Sequence, residues 1–167
     1  MKIGLLSDTH SHIDERITKH LEGCDEIWHA GDIGSLEVTD ELKKLAPLRA
    51  VFGNIDNSTI RTEFQRDHKF NLEGQTIWMT HVGGRPPKFA PGILTKLKEI
   101  RPNIFICGHS HILIAKGCPE FGGLHLNPGA AGIYGNHTVR TLMRFVLTQN
   151  GVKDLEVIEI KRKSVYL

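Results

Sequence analysis

The chain has 167 residues, 40% hydrophobic and 24% charged, enough apolar side chain to close one core and enough charge to keep it soluble. A formal charge of +2 is too near neutral to suggest a nucleic-acid surface, and no apolar stretch reaches membrane-spanning length. The N-terminal apolar run is interrupted by Ser7-Asp8, too early for a signal-peptide core, so the expectation is one domain over residues 1–167 of a cytoplasmic protein with no membrane partner.

Lys2 to Leu6 reads as an apolar strand. A helix is expected over Ser11 to Glu22, with Ile13, Ile17 and Leu21 on one face, Asp14 and Glu15 in its first turn and Gly23 as its stop. Glu26 to Ala30 is the next strand. Ser35 caps a second helix whose Val38, Leu42 and Leu45 share a face; Pro47 ends it, and Leu48 to Phe52 forms a third strand. This βαβαβ start implies parallel strands joined by right-handed crossovers. Phe70–Leu72 and Gln75–Thr80 form a hairpin around Glu73-Gly74. A helix starting near Pro91 buries Ile93, Leu94, Leu97 and Ile100 and stops before Pro102. Arg140–Thr148 and Lys153–Ile160 flank a turn at Gln149-Asn150-Gly151. Alternating helices at one end and hairpins at the other suggest two sheets packed face to face with helices outside.

Cys24, Cys107 and Cys118 form no CxxC pair and leave an odd number, so neither a disulfide framework nor a zinc knuckle is indicated. Cys107 ends an apolar run and reads as a small core residue. Among ten histidines, His20, His68 and His137 read as surface scatter, His12 and His125 as structural residues, and the cluster Lys161-Arg162-Lys163 as solvated.

Five short motifs, each following an apolar strand, carry the chemistry: Asp8-Thr9-His10, Gly31-Asp32, Gly53-Asn54-Ile55-Asp56, His81, and Gly108-His109-Ser110-His111. Most of them alone read more readily as a turn or a structural residue. Together they place Asp, Asn and His side chains at five strand ends, where open α/β sheets carry their sites, and metal binding accounts for all of them at once. Asn54 offers a carbonyl ligand without adding charge, and its amide can donate to a phosphate oxygen.

In these ordered motifs the chain resembles the calcineurin-like metallophosphoesterase superfamily. Its short length and Asn127-Pro128-Gly129 resemble the small YfcE-like branch, which includes the retromer scaffold subunit. The resemblance implies a four-layer α/β/β/α sandwich of two mixed sheets with flanking helices. It assigns Asp8, His10 and His111 to one divalent ion, Asn54, His81 and His109 to a second, and Asp32 to both. Mn²⁺ leads, with Fe²⁺, Ni²⁺ or Zn²⁺ as alternatives. The implied reaction is hydrolysis of small phosphodiesters or activated phosphomonoesters by a hydroxide held between the ions, with Asp32, Asn54 and His10 catalytic and Asn54 and Arg85 contacting a small phosphoester, a nucleotide among the options.

The chain departs from the family at Ile55, where many relatives carry a His that protonates the leaving oxygen. Asp56, which would orient that His, is left to hold the loop. The segment Gly83–Phe89, with Arg85, Lys88 and Phe89, is the expected substrate loop. A non-catalytic scaffold like the retromer subunit is the alternative reading; a protein phosphatase would need a general acid and larger loops, neither of which is visible.

Overall fold

The computed structural model of the protein describes residues 1–162. In chain order the elements are β1 (Lys2–Leu6), α1 (Glu15–Leu21), β2 (Glu26–His29), α2 (Leu36–Lys43), β3 (Leu48–Ala50), α3 (Ser58–Glu63), β4 (Asp67–Leu72) and β5 (Gln75–Thr80). They continue with β6 (Gly84–Arg85), β7 (Lys88–Phe89), α4 (Ile93–Ile100), β8 (Ile104–Ile106), β9 (Leu113–Cys118), β10 (Gly123–Pro128), β11 (Val139–Thr148) and β12 (Gly151–Lys161).

Two five-stranded sheets form, ordered β12-β11-β1-β2-β3 and β4-β5-β8-β10-β9, with β6-β7 as a separate hairpin. The period of two along each strand decides which layer every side chain joins. Ile3, Leu5 and Trp28 of the first sheet meet Ile77, Met79, Ile104 and Ile106 of the second in a core between the sheets. The alternate residues Leu6 and Ile27 face outward and pack under Ile17, Val38, Leu42 and Ile60 of the first three helices. On the far side, Trp78, Phe105 and Cys107 pack under Ile93 and Leu97 of α4. These are the four expected layers.

Because β1, β2 and β3 are parallel, as are β5, β8 and β10, their C-terminal ends in each sheet lie at one edge. The site lies along that shared rim.

Several boundaries differ from expectation. The first helix begins at Glu15, because His10 and Ser11 adopt left-handed backbone and the chain to Asp14 stays a loop; Asp14 is the N-cap and accepts from Ile17 N at 3.1 Å. Helix α3 and the strands β9 and β10 carry no strong periodic pattern, α3 being six residues long and β9 a largely exposed edge. The basic tail is not simply solvated. Arg162 donates to the carbonyls of Gly135 at 2.9 Å and His137 at 2.7 Å, and also to that of Ile133, clasping the loop between β10 and β11; Lys163 lies outside the described residues.

Candidate metal centre

Five turns at the rim carry the functional side chains. Asp8, His10, Asp32, His109 and His111 all have φ between 47° and 68°, a region that non-glycine residues rarely occupy, and five such residues at one edge mark a site where the fold holds strained backbone. The ladder beyond the strands fixes them: Asp8 N donates to Gly31 O at 2.9 Å, His10 N to Asp32 O at 3.0 Å, and Gly108 N to His81 O at 2.9 Å. Close approach explains the glycines here. A Cβ on Gly31 would lie 2.6 Å from His81 Nδ1, and one on Gly108 would strike Ser7 Oγ and lie 2.8 Å from Asp8 Oδ2.

The side chains form two groups whose ligand atoms lie within 4.8 Å of one another, Asp8 with His10 and His111, and Asp32 with His81 and His109. Asp32 faces both. Its Oδ1 is 3.2 Å from His81 Nε2 and its Oδ2 is 3.6 Å from His10 Nε2. Asp8 Oδ1 is 3.3 Å from His111 Nε2 and 3.9 Å from the Nε2 atoms of His10 and His81. Asn54 Oδ1 lies 2.9 Å from His109 Nδ1, joining the second group.

Burial and charge set the protonation of this cluster. Burial raises the Asp32 carboxyl, but hydrogen bonding and charge from His81 outweigh it and hold the group below the usual carboxylate range. Burial lowers His81, yet Asp32 and Asp8 leave it raised; Asp8 likewise raises His111. Burial dominates at His10 and lowers it in spite of the two carboxylates.

The donor set fits divalent cations. Asp8 Oδ1, His10 Nε2 and His81 Nε2 are buried without a hydrogen-bond partner, an arrangement that is costly unless a ligand faces them. The His81 ring is oriented for this: Nδ1–H donates to Ala30 O at 2.8 Å, which leaves the Nε2 lone pair toward Asp32. Imidazole and carboxylate donors without thiolate suit first-row divalent metals; Cys107 is fully buried in the α4 layer and its thiol is pushed up to about 12.

Asp56 has the loop-holding role expected of it. Its carboxylate accepts from Ile33 N at 3.1 Å and from Gly34 N and Gly53 N at 2.7 Å, locking the Asp32 turn to the Asn54 turn. Three further residues outside the expected ligand set support the rim. His29, pushed down to about 4 by burial, accepts from Gly31 N at 3.1 Å and bonds Thr9 Oγ1 at 2.9 Å. Asn127 Nδ2 donates to Gly108 O at 3.0 Å and Ser110 Oγ at 3.2 Å, bracing the His109–His111 turn. His137 is no scattered surface residue: its ring lies edge-on to His111 at 5.3 Å and its Nε2–H donates to Gly132 O at 2.9 Å. His12 bonds Asp14 at 3.2 Å, and His125 is buried beside Cys107.

A cleft of about 560 Å³ opens beside Asn54 and His81. Its cations are Arg61, Arg66 and Lys96. Arg85 is exposed in the β6–β7 hairpin and is not among the lining residues.

A two-sheet sandwich with carboxylate, amide and imidazole donors at parallel strand ends defines a metal-binding class of α/β protein. The sequence model of the calcineurin-like phosphoesterase superfamily domain matches residues 1–150, and the chain belongs to that superfamily. It is 30% identical over 135 residues to a probable metallophosphoesterase of Methanothermobacter thermautotrophicus, covering 78% of this chain and 77% of that one. Among solved structures it resembles an archaeal phosphodiesterase, with TM-score 0.75, 24% identity and coverage of 96% and 100%. Vps29 of Entamoeba histolytica, solved with Zn²⁺, matches with TM-score 0.72, 20% identity and coverage of 95% and 99%.

Proposed function

We propose that this phosphoesterase is a dinuclear metal-dependent phosphodiesterase that hydrolyses small phosphodiesters or activated phosphomonoesters. Asp8, His10 and His111 would hold one ion and Asn54, His81 and His109 the other. The supporting observation is Asp32, whose two carboxylate oxygens face the two groups separately. Bound ions, with Mn²⁺ the first to test, supply positive charge at the phosphoryl oxygens and lower the pKa of water.

The chain itself supplies position and charge balance. The Asn54 amide stands at the mouth of the cleft, where its NH₂ can donate to a phosphoryl oxygen while Oδ1 faces His109. Ile55, 46% exposed at the next position, offers no proton to a departing oxygen, so substrates with stable leaving groups are favoured.

The decisive experiment measures metal stoichiometry and the hydrolysis of bis(p-nitrophenyl) phosphate with and without Mn²⁺. Two ions per chain with metal-dependent turnover are expected; one ion, or turnover indifferent to metal, overturns the reading. A second reading is favoured by one feature. Ile55, Val82, Ile112, Leu113, Ile133 and Tyr134 are exposed around the rim, Tyr134 with its ring 4.9 Å from that of His10, and such a border suits a protein-binding scaffold. Bound metal with no hydrolysis of any ester would select it.

A further inference from the structure

We propose that the cleft beside Asn54 and His81 binds a second phosphate carried on one arm of the substrate, so that the preferred substrates are mononucleotide-sized phosphodiesters bearing a further phosphate. This inference rests on the phosphodiesterase reading and specifies the substrate class of that site.

The charge is local. The whole chain carries a formal +2, yet this cleft alone gathers Arg61, Arg66 and Lys96 against a single carboxylate, Asp67. Asp67 is already engaged, with Lys96 Nζ at 3.6 Å and the Trp78 indole donating at 3.3 Å. Among the described residues neither Arg61 nor Arg66 has a carboxylate within ion-pair distance. Arg61 is held by carbonyls instead, its guanidinium donating to Asp56 O at 2.7 Å and Asn54 O at 3.1 Å while lying 4.8 Å over the Phe52 ring. An arginine so fixed keeps its full charge and presents a guanidinium edge beside the loop that carries a candidate ligand.

The N-terminus of α4 adds to this field. Pro91, Gly92 and Ile93 form part of the wall; Ile93 N is taken by Ala90 O at 3.1 Å, but the N-cap Gly92 makes no side-chain cap bond, so the N-terminal, positive end of α4 borders the cleft. Phe52, Val82 and Ile93 supply apolar surface in the same cleft. A volume of about 560 Å³ suits a group larger than phosphate alone. A diester seated at the metal ligands could thus lay a sugar and base along the apolar wall and place its outer phosphate among the three cations.

The test compares two esters, thymidine 5′-(p-nitrophenyl phosphate) and the same compound phosphorylated at the 3′ oxygen. With the Mn²⁺-loaded protein, kcat/KM should be about tenfold higher for the phosphorylated ester, and Arg66→Ala with Lys96→Ala should bring the ratio to within about twofold of one. Metal-free protein titrated calorimetrically with thymidine 3′,5′-bisphosphate should bind it, about tenfold more weakly in the double variant. Should that variant fail to fold by circular dichroism, Arg66→Ala alone replaces it, since Arg66 is exposed and lies outside the helices. A ratio near one in the wild type, or a ratio unchanged in the variant, overturns the cleft proposal and leaves the phosphodiesterase standing. If neither ester nor bis(p-nitrophenyl) phosphate is hydrolysed, the phosphodiesterase reading fails, and the titration decides the cleft by itself.

Discussion

The two sheets equip the rim differently. The first, through the turns after β1, β2 and β3, contributes Asp8, His10, Asp32 and Asn54, which include every oxygen donor; the second, after β5 and β8, contributes only His81, His109 and His111. The first sheet therefore carries the negative charge that must be neutralised, and the second carries only imidazoles, of which His81 and His111 are raised by the facing carboxylates. It also carries more bracing, since one Asp56 carboxylate ties two of its turns together. Neither half makes a site alone.

The largest test of this division removes one charge from the first sheet. Asp32→Asn should lower metal content and cut turnover by about 10²-fold or more, because both groups lose the same carboxylate; unchanged metal and unchanged rate would break the comparison. Removing a ring from the second sheet comes next. His109→Ala and His111→Ala should each weaken metal binding by at least about tenfold in a competition titration, whereas His20→Ala should leave it alone. His137→Ala should fall between, at a few-fold, since it only flanks His111. Equal losses in all four would indicate general destabilisation.

Bracing is tested by Asp56→Ala, which strands three loop amides and should lower unfolding free energy by about 2–4 kcal/mol in a urea titration. The smallest effect is in pH. Asp32 and Asp14 are held below the usual carboxylate range; at Asp14 burial opposes this, but the hydrogen bonds and charge of Arg140 outweigh it. Their stabilisation is present above the unfolded value near 4 and is lost as pH falls below it. His81 and His111 are raised, so in metal-free protein their contribution is present below about 6.5 and fades as pH rises through their folded values. His29 and His125, pushed down to about 4 by burial, lose stability as pH falls below about 6.5, so metal-free protein should be most stable near pH 6.5, and Arg140→Gln should flatten the acid limb alone. Stability rising monotonically to pH 9 without metal would contradict this assignment of charge.

Much of this was legible in the sequence because strand and turn chemistry act locally. Asp8, Asp32, Asn54, His81 and the His109–His111 pair each follow an apolar run, and the parallel order of those runs brings them to one edge. Asp56 was legible as a loop anchor for the same reason. His137 was not, because its approach to His111 depends on the fold of the loop between β10 and β11, which Arg162 holds from 25 residues away. The cleft cations were missed likewise. Arg61 sits on a helix too short for a periodic signal, and Arg66 and Lys96 meet it only after two sheets dock, whereas Arg85 and Lys88 stood in a loop whose composition drew attention to itself.

The pairing of β1 with β11 sets the order in which this protein can mature. The turn bearing Asp8 and His10 extends a strand whose neighbours are β2, close in sequence, and β11, with Met1 bonded to Leu147 across an interval of 146 residues. During synthesis, the first-sheet ligands emerge long before that flank exists, and contacts of such long range form late in folding. Metal capture is therefore expected only after nearly the whole described chain has left the ribosome. A nascent chain stalled before β11 should take up little metal, and release of the stall should restore it.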